Sequence, residues 1–224
     1  MWNEAVDRVR DGEVEVDAVL AASEPDCRRG LTLALRPPRE VQVEVTALLD
    51  ELRGIEPALY LYEPDELHIT FLTLVTAAEP HDFLARVADY IEAAHAVAGR
   101  VAPQEFEFRG VTVSPAAVVV QGFADAEMLK AARDELRREL RARHLAQSID
   151  IRYRLEGAQM TVARFRAPLR NPAAFIAKLE CARQRPFGTC RIEEAELTIN
   201  DWYMSRAATE VKARVPLCGR VAAS

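Results

Sequence analysis

Residues 65–74 read DELHITFLTL, which places a histidine and a threonine two apart in an otherwise apolar run. Strand side chains alternate between faces, so His68 and Thr70 share one face while Ile69 and Phe71 point to the other. An imidazole and a hydroxyl side by side on such a strand are either satisfied core groups or half of a site. A later stretch, AQMTVARF at 158–165, repeats the arrangement. There Gln159 and Thr161 share a face, and Met160 and Val162 point away. Each stretch is followed by a helical pattern. The first covers 79–99, with Pro80 in its first turn and Gly99 at its end; the second covers 171–185, capped by Asn171 with Pro172 next. After each helix the chain returns as a pair of strands. This weak internal repeat predicts an α+β fold of two pseudo-symmetric lobes. Each lobe is expected to be a mainly antiparallel sheet with helices on its outer face, and a central cleft would separate them.

The remaining segments fit that plan. Residues 3–22 carry an amphipathic pattern interrupted at Gly12 and Glu13, so residues 1–29 read as an acidic helical extension and 30–224 as the bilobal domain. Residues 30–38 form a strand that Pro37 and Pro38 terminate. Residues 39–54 have the helical period, with Val41, Val45, Leu48, Leu49 and Leu52 on one stripe. Residues 57–64 read as a strand turning at Pro64-Asp65 into the first motif. A hairpin is expected over 104–123 with Ser114-Pro115 at its turn, then a helix over 125–145 capped by Asp125. Two strands, 189–205 and 210–217, complete the chain.

Composition limits the function. Half of the 224 residues are hydrophobic, enough for a real core, and no apolar run approaches the ~20 residues of a membrane span. The N-terminus is too charged for a secretory signal, so the cytoplasm is the expected location. A net charge of −6 argues against coating of extended nucleic acid. Arginines nevertheless concentrate between Arg137 and Arg170. Arg137 to Arg143 read as a solvated helix face. Arg152, Arg154, Arg164, Arg166 and Arg170 read equally as scattered surface charge or as an anion-attracting patch. Cys27, Cys181, Cys190 and Cys218 are too widely spaced for a zinc pattern and read as reduced thiols. The four histidines fit no metal-ligand spacing, so no metal or cofactor is expected. His81, His95 and His144 fall at solvent-side positions.

The motifs match a known pattern. ELHITFL, AQMTVARFR, the opening LTLALRPPREVQVEVTALLDELR and the late strand AELTINDWYMS together resemble the two-histidine (2H) phosphoesterases. That family includes the 2′-5′ RNA ligase-like proteins and cyclic nucleotide phosphodiesterases. The resemblance covers roughly residues 30–217. It implies two His-x-Thr/Ser motifs, one per lobe, acting without a cofactor on a nucleotide or RNA-end phosphate, in a protein expected to be a monomer. His68 and Thr70 take the catalytic and phosphate-binding places of the first motif. Thr161 takes the threonine of the second, but Gln159 stands where its histidine belongs.

A histidine can pass a proton at working pH and threonine hydroxyls can donate to phosphate oxygens, whereas glutamine can hydrogen-bond but not titrate. Arg164 and Arg166 are candidate phosphate contacts, although strict alternation puts Arg164 on the face opposite Thr161 unless a bulge or the end of the strand intervenes. Tyr62 and Tyr153, one before each motif, are candidates to stack on a base, or ordinary packing residues. Three functions remain open: a weakened cyclic phosphodiesterase, a homologue that binds a nucleotide or phosphorylated ligand without turnover, and an interaction protein whose lobes are scaffold and whose acidic N-terminal segment recruits a partner.

Overall fold

The computed structural model describes residues 2–78, 82–145 and 157–219. It contains two antiparallel sheets with helices outside, as the internal repeat predicts. The first sheet has the strand order β3-β1-β8-β9, where β1 is Arg29–Leu35, β3 is Ile69–Ala78, β8 is Glu194–Asn200 and β9 is Glu210–Pro216. The second has the order β2-β6-β5-β4-β7, from β2 (Tyr60–Leu61), β6 (Ala158–Arg164), β5 (Ala117–Phe123), β4 (Gln104–Ser114) and β7 (Pro186–Ile192).

Helices cover the sheets in a crossed pattern. Helix α3 (Arg39–Ile55) follows the first strand but packs on β6 and β7 of the second sheet. Its stripe of Val41, Val45, Leu48, Leu49 and Leu52 is almost completely buried. Each such side chain contributes roughly 1.5–3 kcal/mol by leaving water. Helices α4 (Val87–Ala98) and α5 (Ala126–Ala142) pack on each other, and α4 reaches β9 of the first sheet. Asp125 caps α5 by accepting from the Met128 amide, and Asn171 caps α6 (Pro172–Cys181) by accepting from Ala174.

Several elements differ from the pattern reading. The N-terminal helix is two short pieces, α1 (Trp2–Arg10) and α2 (Ala18–Ala22), because Gly12 takes a left-handed conformation (φ 83°) between them. Helix α1 packs against β4 and α6, and the amides of Glu15 and Asp17 donate to the carbonyls of Pro115 and Phe165. The helix after the first motif begins as a 3₁₀ turn, Asp82–Arg86, before α4; Pro80 and His81 lie outside the described residues. Helix α6 ends at Cys181, short of the expected Arg185. The run 189–205 is not one strand. It breaks at Glu193, where the chain passes from β7 in the second sheet to β8 in the first. Arg137, expected in a solvated face, is only 3% exposed, since it lies on the same stripe of α5 as Leu129, Leu136 and Leu140 and pairs with Asp134.

Two irregularities position the motifs. On β3, Ala34 faces Thr70 while its neighbour Leu33 faces Leu72, so Phe71 is an extra residue. On β6, Val119 faces Thr161 while Val118 faces Ala163, so Val162 is an extra residue. Each motif strand therefore bulges at the residue after its threonine. Two consecutive buried residues follow each threonine, Phe71 and Leu72 in one case and Val162 and Ala163 in the other. A bulge shifts the alternation by one, so the third residue after each threonine returns to the threonine's face. Those residues are Thr73 and Arg164.

Candidate active site

The two motif strands meet where the sheets adjoin. β3 is the edge strand of its sheet and packs against β6 of the other. The chain also crosses between them before the first motif. Strand β2 joins the second sheet, with Tyr60 opposite Arg164 and Leu61 opposite Ala163, and the Tyr62 amide donates to the Val162 carbonyl. The chain then turns back through 63–68 into β3. His68 is thus delivered to its position by a segment anchored on the opposite motif strand.

His68 is half-buried, and its Nδ1 lies 2.7 Å from the Glu66 carbonyl oxygen. A carbonyl can only accept, so Nδ1 carries the proton and Nε2 is left with its lone pair. Burial depresses the imidazole's pKa, and the nearby positive charges of Arg36 and Arg164 push the same way. The Glu66 carbonyl opposes them, and the net result is about 4. The ring is therefore neutral at pH 7, the form that takes up a proton.

The turn that carries His68 is held from several sides. The Glu66 carboxylate, 7% exposed, accepts from the Glu63 amide (3.1 Å), the Arg206 amide (2.8 Å) and the Tyr60 hydroxyl (3.4 Å). Arg36 donates to the carbonyls of Asp65 and Leu67 and pairs with Glu196 at 2.9 Å.

Thr70 and Thr161 are half-exposed and Gln159 is exposed. Arg164 is half-exposed, and the bulge at Val162 returns it to the face of Thr161, the condition that alternation alone had not met. Its Nε donates to the Tyr62 hydroxyl at 3.0 Å, and its guanidinium lies 5.7 Å from the centre of the Tyr203 ring. Tyr62 is 3% exposed, so it serves Arg164 from within the core and presents no face for a base. Tyr203 is similarly buried, and its hydroxyl donates to Asp17 at 2.7 Å. Burial raises the pKa of Tyr60, Tyr62 and Tyr203, so all three remain neutral phenols rather than phenolate bases. Arg166 is exposed and donates to the Ala58 carbonyl. Tyr153 lies outside the described residues, as do Arg152 and Arg154.

Among the described residues no group of three or more His, Cys, Asp or Glu is arranged to hold a metal ion. His95 on α4 and His144 after α5 are exposed. Burial pushes the Cys190 thiol up to about 11, so it is not a ready thiolate.

Sequence reasoning missed Arg36, Glu66, Thr73 and Arg133. Arg133 had a legible signal, a charged residue on the apolar stripe of α5 between Leu129 and Leu136. The other three had none, because each depends on how the turn before the first motif folds or on a bulge that no glycine marks.

Known structures share this architecture. The Thermus thermophilus protein TT0787 superposes with a TM-score of 0.63 at 22% identity, over 86% of this chain and all of that one. E. coli LigT complexed with 3′-AMP gives 0.56 at 17% identity, over 85% of this chain and 98% of that one. A structure described as a phosphoesterase gives 0.51 at 16% identity, over 85% and 95%. The chain has the fold of these proteins. LigT has also been solved with ATP, NADP+ and phosphate. No family model and no curated protein matches the chain.

Proposed function

We propose that this chain is a 2H-type phosphoesterase that takes a nucleotide or RNA-end phosphate between its lobes and hydrolyses a 2′,3′-cyclic phosphodiester with a single imidazole. The observation that carries this reading is the His68 Nδ1 held 2.7 Å from the Glu66 carbonyl, just ahead of an edge strand that packs against the second motif strand β6. Nε2 removes a proton from the attacking water as its oxygen bonds to phosphorus. Thr70 and Thr161 donate to the non-bridging oxygens, and Arg164 offsets the charge that builds on them. The bond to the leaving ribose oxygen then breaks. Gln159 can hydrogen-bond that oxygen but has no proton to give, so solvent supplies it. Loss of one general acid costs roughly 10²–10⁴ in rate. The structures of LigT complexed with 3′-AMP and with phosphate support a nucleotide phosphate as the occupant.

A second reading, binding without turnover, is favoured by Gln159 itself, which sits exposed on β6 where a second imidazole would act. One experiment separates the two. Hydrolysis of 2′,3′-cyclic nucleotides is compared for the wild type, His68→Ala and Gln159→His. The enzyme reading expects slow turnover that His68→Ala abolishes and Gln159→His raises by roughly 10²-fold or more. Nucleotide-dependent thermal stabilisation with no product from the wild type selects the binding reading. No gain from Gln159→His removes Gln159 from the site.

A further inference from the structure

Arg133 is fully buried in a helix stripe whose other members are Leu129, Ala132, Leu136, Arg137 and Leu140. Burying a guanidinium is costly unless its donors are satisfied, and an aliphatic side chain would fill the same space without that cost. What the arginine supplies is directed donors. Its Nε donates to the Phe71 carbonyl at 2.8 Å, and its Nη2 donates to the Thr70 carbonyl at 3.1 Å and the Gly157 carbonyl at 2.9 Å. Thr70 is the hydroxyl of the first motif, and Phe71 is the bulged residue beside it on the free edge of the first sheet. Gly157 immediately precedes β6 and stands two residues before Gln159. One planar fork from α5 thus grips the bulge of one motif strand and the base of the other.

From this geometry we infer that Arg133 is the positioning residue that fixes the spacing of the two motif strands, so that Thr70 and Thr161 meet the same phosphate group. The inference rests on the cleft being the phosphate site. Arg133 touches no reacting atom; it acts through the backbone of Thr70, Phe71 and Gly157. The guanidinium is rigid and its donors have fixed directions, so the span between the strands is set by its length. Lysine at this position keeps the charge but offers one point of attachment. The bulge fits the same role. It turns the carbonyls of Thr70 and Phe71 toward one donor group, which a regular edge strand, with successive carbonyls opposed, does not do.

The test uses the full chain with Arg133→Lys, Arg133→Met and, as a purely structural control, Leu140→Ala. Three quantities are read well below each variant's melting temperature: kcat and KM on a 2′,3′-cyclic nucleotide, affinity for inorganic phosphate, and hydrogen exchange of amides in β3 and β6. Arg133→Met is expected to lower kcat/KM by roughly 10²-fold, the scale of a misplacement of about 1 Å, with kcat carrying most of the loss. Arg133→Lys is expected to recover part of it. Exchange should accelerate in both motif strands together in the Arg133 variants. Leu140→Ala, a cavity further along the stripe, should lower the melting temperature and leave kcat/KM within about two-fold. Arg133→Met with wild-type kcat/KM and phosphate affinity overturns the inference. If the wild type neither turns over nor binds phosphate, the phosphate reading fails by itself, and exchange decides the rest. Unchanged exchange in β3 and β6 then overturns the strand-spacing role, and joint acceleration upholds it. If Arg133→Met does not fold, the same comparisons are made on Arg133→Lys.

Discussion

Titration of His68 separates a poised base from an ordinary surface imidazole. The ring is half-buried, its Nδ1–H is held by the Glu66 carbonyl at 2.7 Å, and two arginines face it. Burial first, and then the charges of Arg36 and Arg164, bring its pKa from 6.5 to about 4. At pH 5.5 such a ring is roughly 97% neutral, where an unperturbed imidazole is roughly 90% charged. Because the folded pKa lies below the unfolded one, the unfolded chain binds the proton more readily between pH 6.5 and 4. Stability from this group is therefore complete above pH 6.5 and is lost as pH falls toward 4. The loss is on the order of 3 kcal/mol, at 1.36 kcal/mol per pH unit of displacement.

Nitrogen-15 and proton spectra of the histidines provide the assay. His68 is expected as the Nδ1–H tautomer across the neutral range, with a midpoint near 4. Urea unfolding at pH 6.5 and pH 4.5 should show a larger loss of stability for the wild type than for His68→Gln, which retains the other titrating groups. The pH profile of kcat/KM should stay flat from pH 7 down to about 5. A His68 midpoint at or above 6.5, or an Nε2–H tautomer at neutral pH, refutes the reasoning, because it means the ring is hydrated and the Glu66 contact absent.

The remaining predictions concern single supports of the site and fold. Tyr62→Phe removes the acceptor of Arg164 Nε. It should weaken inorganic phosphate binding by roughly 3- to 10-fold, the net worth of one hydrogen bond, with little change in thermal melting; isothermal titration calorimetry checks it. Gly110→Ala places a Cβ against the Arg183 carbonyl at a position with φ 73°, and is expected to cost more than about 3 kcal/mol in urea unfolding. Gly54→Ala, in α3 with open space around the new methyl, should gain roughly 0.5–1 kcal/mol by the same measurement.

Alternation and order made much of the fold legible. Period-two patterns put His68 beside Thr70 and Gln159 beside Thr161, and the repeated strand-helix-strands order indicated two lobes. What stayed hidden shares one physical cause, contacts between segments distant in sequence. A continuous β-rich run at 189–205 says nothing of which sheet each part joins, because both environments favour the same residues. Bulges at Phe71 and Val162 are equally silent, since neither needs a positive φ and both residues are ordinary strand formers. Alternation left Arg164 off the face of Thr161 unless a bulge or the end of the strand intervened, and only the β5–β6 register shows the bulge. Tyr62 reads equally as a base-stacking or a packing residue until β2 is seen to pair with β6 and sink the ring into the core.

Backbone symmetry and side-chain asymmetry together explain the arrangement of the site. Both motif strands bulge after the threonine, so both present the same three positions: His68, Thr70 and Thr73 on one, Gln159, Thr161 and Arg164 on the other. The imidazole lies immediately before the first strand and the permanent charge at the end of the second. Each is supported by elements from elsewhere in the chain. Arg164 on β6 is held by Tyr62 from the turn before the first motif, while Thr70 on β3 is held by Arg133 from the helix before the second. Asp17 reaches the same region through Tyr203. Burial above all, with the charges of Arg36 and Arg164 adding to it, lowers the proton affinity of the imidazole and leaves it neutral at pH 7. Separating the lobes would break the Arg133 fork between β3 and the residue before β6 and free the turn that fixes the histidine. The crossed connections that make the lobes inseparable are therefore the same ones that set the protonation and spacing of the site.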